Sequence, residues 1–280
     1  MSRSPISRRS VLGLFAAMPI ASSPALANVA PPRSEIRDSI AKHFAGVGTS
    51  GTFVGYKVED YLIIASDTVR SGEARLPAST FKVANALIAL ETGVVEDPDQ
   101  ETLRWDGVTR ANPAWNRDHS LRSAMAASVV PVFQELARRI GPERMQKYVD
   151  AIDYGNHDIG GGIDQFWLTG NLRIDPIGQI DFLDQLRRRS LTVSKRAQDI
   201  VCDIMPVTKT DKAVIHAKSG LVAAQNEQKP LGWMVGWVER DVERGLGPTV
   251  FAMNMDCPEP RHIEARMAVT EACLADIGAL

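Results

Sequence analysis

A serine stands three residues before a lysine in Ser79-Thr80-Phe81-Lys82, at the head of an apolar run that reaches Leu90 and stops at Gly93. The run predicts a helix with Ser79 and Lys82 on one face, hydroxyl beside amine. A serine hydroxyl needs an adjacent base to act as a nucleophile, and a lysine among Phe81, Val83 and Ala84 loses its proton more easily than one in water. Unpaired backbone N–H groups at the helix start can hold a developing oxyanion. The spacing alone is cheap, because Ser39-Ile40-Ala41-Lys42 repeats it. A capping serine with a solvated lysine is the ordinary explanation of such a pair.

Three further signals single out Ser79. Ser128-Val129-Val130 opens a helical stretch and presents a second hydroxyl between two helices; Tyr154-Gly155-Asn156 forms a loop; Lys218-Ser219-Gly220 ends an apolar strand, placing a cation, a hydroxyl and an open backbone edge along a cleft. Each has a plain structural explanation as an N-cap, a turn or an exposed strand end. Their joint order and spacing are hard to reach by chance.

The elements that must position these groups follow from the hydrophobic period. Ile36, Ile40 and Phe44 recur every fourth residue and predict an amphipathic helix from about Ser34. Residues 51–58 and 61–66 read as a β-hairpin. Helices are expected over residues 128–140, 142–152, 175–189 and 194–205, with Asp175-Pro176 the clearest start. Between them Gly160-Gly161-Gly162 leads to Phe166-Trp167-Leu168, where backbones should approach closely. Strands return at residues 213–218, 231–238 and 249–255, and a last helix covers residues 263–277. The fold class is α+β: a five-stranded antiparallel sheet flanked by N- and C-terminal helices, with a mostly helical inserted subdomain over about residues 79–206.

Residues 1–27 read as an export signal. Ser7-Arg8-Arg9-Ser10 precedes a short apolar run and ends at Ala25-Leu26-Ala27, a pattern closer to a twin-arginine signal than to a general secretory one. The run is shorter than the roughly 20 residues needed to span a bilayer. A single domain over residues 28–280 is expected after cleavage, and loss of Arg3, Arg8 and Arg9 with no acid moves the net charge from −2 to −5. That balance points away from nucleic acid and anionic membranes. Cys202, Cys257 and Cys273 lack the count and spacing of a disulfide framework or a zinc site, with a Cys257–Cys273 bridge weakly favoured.

Taken together, these motifs resemble the class D, or oxacillinase-type, serine β-lactamases from Gly51 nearly to the C-terminus. Gly162-Ile163-Asp164, Phe166-Trp167-Leu168, Gly232-Trp233 and Gly236-Trp237-Val238 complete the match. The resemblance implies that Ser79 is acylated by a β-lactam, with the N–H groups of Ser79 and Leu221 as the oxyanion hole. It implies that Ser128, beside Lys218, passes a proton to the departing nitrogen. Ser219 and Arg266 would hold the substrate carboxylate beside the Gly220 backbone, with Arg261 the rival arginine. Deacylation finds no glutamate placed to activate water. The family's answer is an N6-carboxylated Lys82 that accepts protons both from Ser79 in acylation and from water in deacylation, formed with carbon dioxide or bicarbonate, bonded by Trp167 and kept in an apolar pocket by Val130 and Phe81. No metal and no other cofactor is implied. Ser219 stands where the family more often has threonine, and Val130 where class A enzymes have asparagine. The resemblance further implies a periplasmic enzyme with β-lactam substrates and no stable membrane association. A penicillin-binding D,D-peptidase and a β-lactam-sensing domain share the main motifs and remain the alternatives.

Overall fold

Strands from both ends of the chain meet in one sheet, and the serine-lysine pair lies against it. The computed structural model describes residues 31–210, 213–224, 229–240 and 247–280. The strands are β1 (Arg33–Ile36), β2 (Gly51–Lys57), β3 (Leu62–Ala65), β4 (Val207–Lys209), β5 (Ala213–Val222), β6 (Leu231–Arg240) and β7 (Thr249–Asp256). The α-helices are α1 (Ala41–Gly46), α2 (Lys82–Glu91), α3 (Leu121–Ala126), α4 (Val130–Ile140), α5 (Pro142–Ala151), α6 (Pro176–Arg187), α7 (Lys195–Ile204) and α8 (Pro260–Asp276). Among the described residues, the expected α+β arrangement is present with seven strands instead of five, in the order β1-β3-β2-β7-β6-β5-β4.

Both extra strands are edges. β1 replaces the first half of the helix expected from Ser34 and pairs in parallel with β3, so the sheet is not wholly antiparallel. Its backbone is held by Arg33 N–H to Tyr61 O and Arg37 N–H to Ala65 O, both 2.9 Å. Ile36 is 41% exposed, whereas Ile40 and Phe44 are buried, so the four-residue period marks a core face only at its C-terminal end. β4 is exposed along its length and pairs with β5 alone, which leaves it no alternating apolar pattern to read. The short α3 also escaped the periodicity and is started by a capping box at Ser120 and Ser123.

Alternation in the central strands divides the interior in two. Trp233, Val235 and Trp237 of β6, with Val250 and Ala252 of β7, face the core shared with α2 and the other helices of the middle segment. Met234, Val238, Phe251, Met253 and Met255 face the other side, where Ile40, Phe44, Val269, Cys273 and Leu274 from the terminal helices cover them. Side chains of this size stabilise the fold by about 1.5–3 kcal/mol each when fully buried. Cys202, Cys257 and Cys273 are all free, so the Cys257–Cys273 bridge does not form. Burial pushes the Cys273 thiol up to about 12, which leaves it inert. The export-signal expectation lies outside the described residues.

Candidate active site

The apolar run after Ser79 does form a helix, but Ser79 itself sits in a 3-10 turn, Ala78–Phe81, that passes into α2 at Lys82. The turn begins with Ala78 at φ +47°, a left-handed conformation that an alanine adopts only when its surroundings enforce it. Those surroundings are specific. Ala78 N–H donates to Trp167 O at 3.0 Å, Trp233 Nε1–H to Leu76 O at 2.9 Å, and the Thr80 hydroxyl to Pro77 O at 2.8 Å. A Cβ on Gly220 would lie 3.0 Å from Pro77 O and 3.1 Å from Thr80 Cγ2. Glycine at the end of Lys218-Ser219-Gly220 is therefore what lets β5 close on the turn that carries Ser79.

Lys82 is fully buried, while Ser79 is half-buried and open to solvent. Lys82 Nζ hydrogen-bonds Ser79 Oγ at 2.6 Å, Ser128 O at 2.8 Å and Ser128 Oγ at 3.0 Å. Burial first, and then the nearby Lys218 charge, hold the amine well below the ordinary lysine range. A neutral amine has two N–H groups and one lone pair. With both N–H groups on Ser128, the lone pair would be left for the Ser79 hydroxyl.

Ser128 lies in the short connection between α3 and α4, at φ +53°, two residues before the helix it was expected to open. Lys218, on β5, brings its Nζ to 2.9 Å from Ser128 Oγ and 3.1 Å from Ser219 O. Burial, with the Arg266 charge second, pushes Lys218 down to about 7. Ser128 Oγ receives N–H groups from both lysines, so its own proton is available to a third partner. The structure thus brings Ser79, Lys82, Ser128 and Lys218 into one hydrogen-bonded cluster. Ser39 and Lys42 are elsewhere, with Lys42 paired to Asp276 at 2.6 Å.

Trp167 closes the apolar side. Its ring packs on Phe81 and Phe166 with centroids 5.4 and 4.9 Å apart, and its indole N–H is buried without a hydrogen-bond partner. An orphaned buried donor on the residue packed against Phe81, the neighbour of the buried, proton-poor Lys82, fits an added acceptor group on that amine. The loop carrying Trp167 depends on close backbone contacts, as its glycines suggested: a Cβ on Gly161 would lie 2.6 Å from Gly170 Cα. Tyr154-Gly155-Asn156 braces this loop and does not enter the cluster. Asn156 accepts from Arg173 N–H at 2.9 Å and donates to Asn171 O at 3.0 Å, while the Tyr154 ring packs on Phe81.

On the open side, Ser219 is half-buried, Leu221 is 42% exposed opposite Gly232, and Val130 is half-buried at the start of α4. Arg266 reaches from α8 to the Gly220 carbonyl and also donates to Ile263 O at 2.8 Å. No carboxylate pairs with it among the described residues. Gly232 makes room for it, since a Cβ there would lie 2.6 Å from Arg266 Cδ. Arg261 is exposed and paired with Glu259 at 2.9 Å. Of the two arginines, Arg266 is the one at the strand edge. Sequence reasoning missed Thr80 and Gln179, a buried polar pair behind the turn. Gln179 carried no signal beyond being polar in a helix otherwise rich in apolar residues.

Active-serine acyl-transfer enzymes are the class that this fold and cluster define. Residues 62–277 match the penicillin-binding-protein transpeptidase domain. The chain is 42% identical over 264 residues to β-lactamase OXA-48 of Klebsiella pneumoniae, covering 94% of this chain and 97% of that one. It is 40% identical over 229 residues to β-lactamase OXA-10 of Pseudomonas aeruginosa, covering 81% and 84%. Among solved structures, the class D β-lactamase YbXI from Nostoc superposes with a TM-score of 0.81 at 38% identity, over 88% of this chain and all of that one. FUS-1 (OXA-85), a class D β-lactamase from Fusobacterium nucleatum subsp. polymorphum, gives 0.82 at 33% identity over the same shares. The chain belongs to the class D β-lactamases.

Proposed function

We propose that this enzyme hydrolyses β-lactam antibiotics through an ester on Ser79, with carboxylated Lys82 as the base for acylation and deacylation and Ser128 and Lys218 as the proton path to the leaving nitrogen. The observation that carries this is the 2.6 Å contact between a half-buried serine hydroxyl and a fully buried lysine amine that burial holds below the ordinary lysine range. In acylation Ser79 Oγ attacks the lactam carbonyl as its proton passes to the carboxylated Lys82. The N–H groups of Ser79 and Leu221 stabilise the oxyanion. The C–N bond breaks as Ser128 gives its proton to the nitrogen and takes one from Lys218. Ser219 and Arg266 hold the substrate carboxylate, the latter with a planar guanidinium fork that no acid occupies. Val130 and Phe81 keep the surroundings of Lys82 apolar.

In the second half-reaction water must attack the ester, and the cluster holds no carboxylate to activate it. Carboxylation of Lys82 by carbon dioxide would supply an oxygen base, and the buried Trp167 indole N–H would hydrogen-bond it. Residues 1–27 are proposed to direct export by the twin-arginine route to the periplasm. No helix among the described residues is long and apolar enough to cross a membrane.

Mass spectrometry of the protein mixed with a slowly released β-lactam, together with steady-state turnover of a penicillin, tests the proposal. An adduct on Ser79 and sustained turnover are expected. An adduct on Ser39 or Ser128 overturns the nucleophile assignment. A stoichiometric burst with no further turnover would indicate a penicillin-binding peptidase. Export fails in an Arg8→Lys, Arg9→Lys precursor if the twin-arginine reading is right, and normal export of that precursor refutes it.

A further inference from the structure

The turn that aims Ser79 is held from behind by a one-way chain of hydrogen bonds. The Thr80 hydroxyl has a single proton and gives it to Pro77 O at 2.8 Å. Toward Gln179 it can therefore only accept, and Gln179 Nε2–H donates to Thr80 Oγ1 at 2.9 Å while lying 3.4 Å from the Tyr154 hydroxyl. Gln179 and Thr80 are each 1% exposed, so both lie out of reach of bulk solvent. The chain ends on the carbonyl of Pro77, the residue before the left-handed Ala78. That carbonyl also accepts from Thr80 N–H at 3.1 Å and faces the close approach of Gly220. Pro77 O is thus the junction between the nucleophile turn and the Lys218-Ser219-Gly220 strand. Donors aligned in series polarise one another, which stiffens the whole chain.

Gln179 sits on α6, 99 residues along the chain from its hydrogen-bond acceptor Thr80, and the mechanism above does not use it. From this geometry we infer that Gln179 is a positioning residue for acylation: by donating to Thr80 it fixes the Pro77 carbonyl, and with it the direction in which Ser79 Oγ points. The inference rests on Ser79 being the nucleophile.

Stopped-flow acylation by a chromogenic cephalosporin, with mass spectrometry locating the adduct, tests it on the full-length protein. Gln179→Met keeps the length and removes the donor. It is expected to slow acylation about tenfold or more, with substrate binding changed less than threefold, because a small misdirection of a reacting atom has a large effect on rate. Thr80→Val removes the same link, so the double variant should be no slower than the slower single variant. Gln179→Glu supplies a signature that packing alone would not. Its carboxyl donates only when protonated, so acylation relative to wild type should recover as pH falls and decline as pH rises. Acylation by Gln179→Met within threefold of wild type, multiplying effects in the double variant, or parallel pH profiles for Gln179→Glu and wild type would each overturn the inference. If Gln179→Met does not fold, Gln179→Glu and Thr80→Val carry the test. An adduct on another serine in the wild type would overturn both the nucleophile assignment and this inference, whereas a wild-type acylation rate at Ser79 in the variants overturns this inference alone.

Discussion

Lys82 and Lys218 share one oxygen: their amines lie 3.0 and 2.9 Å from Ser128 Oγ, and both lysine side chains are buried. Burial strips both amines of their hydration and holds them below the ordinary lysine range; the Lys218 charge adds to this at Lys82, and the Arg266 charge adds to it at Lys218.

That relationship predicts a pH-dependent stability. Lys218 titrates near 7 in the folded protein against 10.5 ordinarily, so between those values the unfolded chain binds more protons. Stability should then rise with pH across this window, by up to about 1.4 kcal/mol per pH unit for one group. Lys218→Met should flatten the slope and raise the melting temperature at pH 7 while abolishing turnover. Thermal unfolding from pH 7 to 10 checks this, and a wild-type slope unchanged by the substitution refutes it.

Trp167→Phe preserves most of the ring packing and removes the orphaned N–H. Turnover should fall on the order of 10²–10⁴-fold through loss of the deacylation base, leaving acyl-enzyme to accumulate. Added bicarbonate should restore part of it. Carbon-13 NMR with labelled bicarbonate should show a carbamate signal in the wild type that weakens in the variant, and equal signals would count against the Trp167 role.

Arg266→Ala is expected to raise KM for penicillins tenfold or more, in line with about 1.5–3 kcal/mol for a charged hydrogen bond. Arg261→Ala should change it less than twofold, since Arg261 is 65% exposed and already paired. Steady-state kinetics of the two variants decide the ranking, and the reverse order would place the carboxylate near the start of α8.

Gly155→Ala tests the brace behind Trp167. Gly155 has φ +60°, and a Cβ there runs into the Arg173 carbonyl. A destabilisation of about 2 kcal/mol or more is expected, together with impaired deacylation as the Trp167 loop shifts. Denaturant unfolding and burst kinetics report the two effects separately, and wild-type values for both would remove the loop-bracing role.

The sequence by itself determined the chemistry that is local along the chain. Ser79 and Lys82 are one helical step apart, so their contact needs no long-range information, and the apolar residues around Lys82 already announced a buried amine. Caps such as Asp175 before Pro176, and the apolar runs of β5 to β7, were legible for the same reason. Only the tertiary structure decided what depends on distant segments. Ser128 and Lys218 are 90 residues apart and meet because β5 is pressed onto the Ser79 turn at Gly220. The edge strands β1 and β4 owe their conformation to partners on the sheet, not to patterns of their own. Arg266 differs from Arg261 because one reaches the Gly220 carbonyl and the other finds Glu259 first. Gln179 acquires a role only when α6 is packed behind Thr80, because a donor needs its acceptor in place and no local spacing records where that acceptor will be.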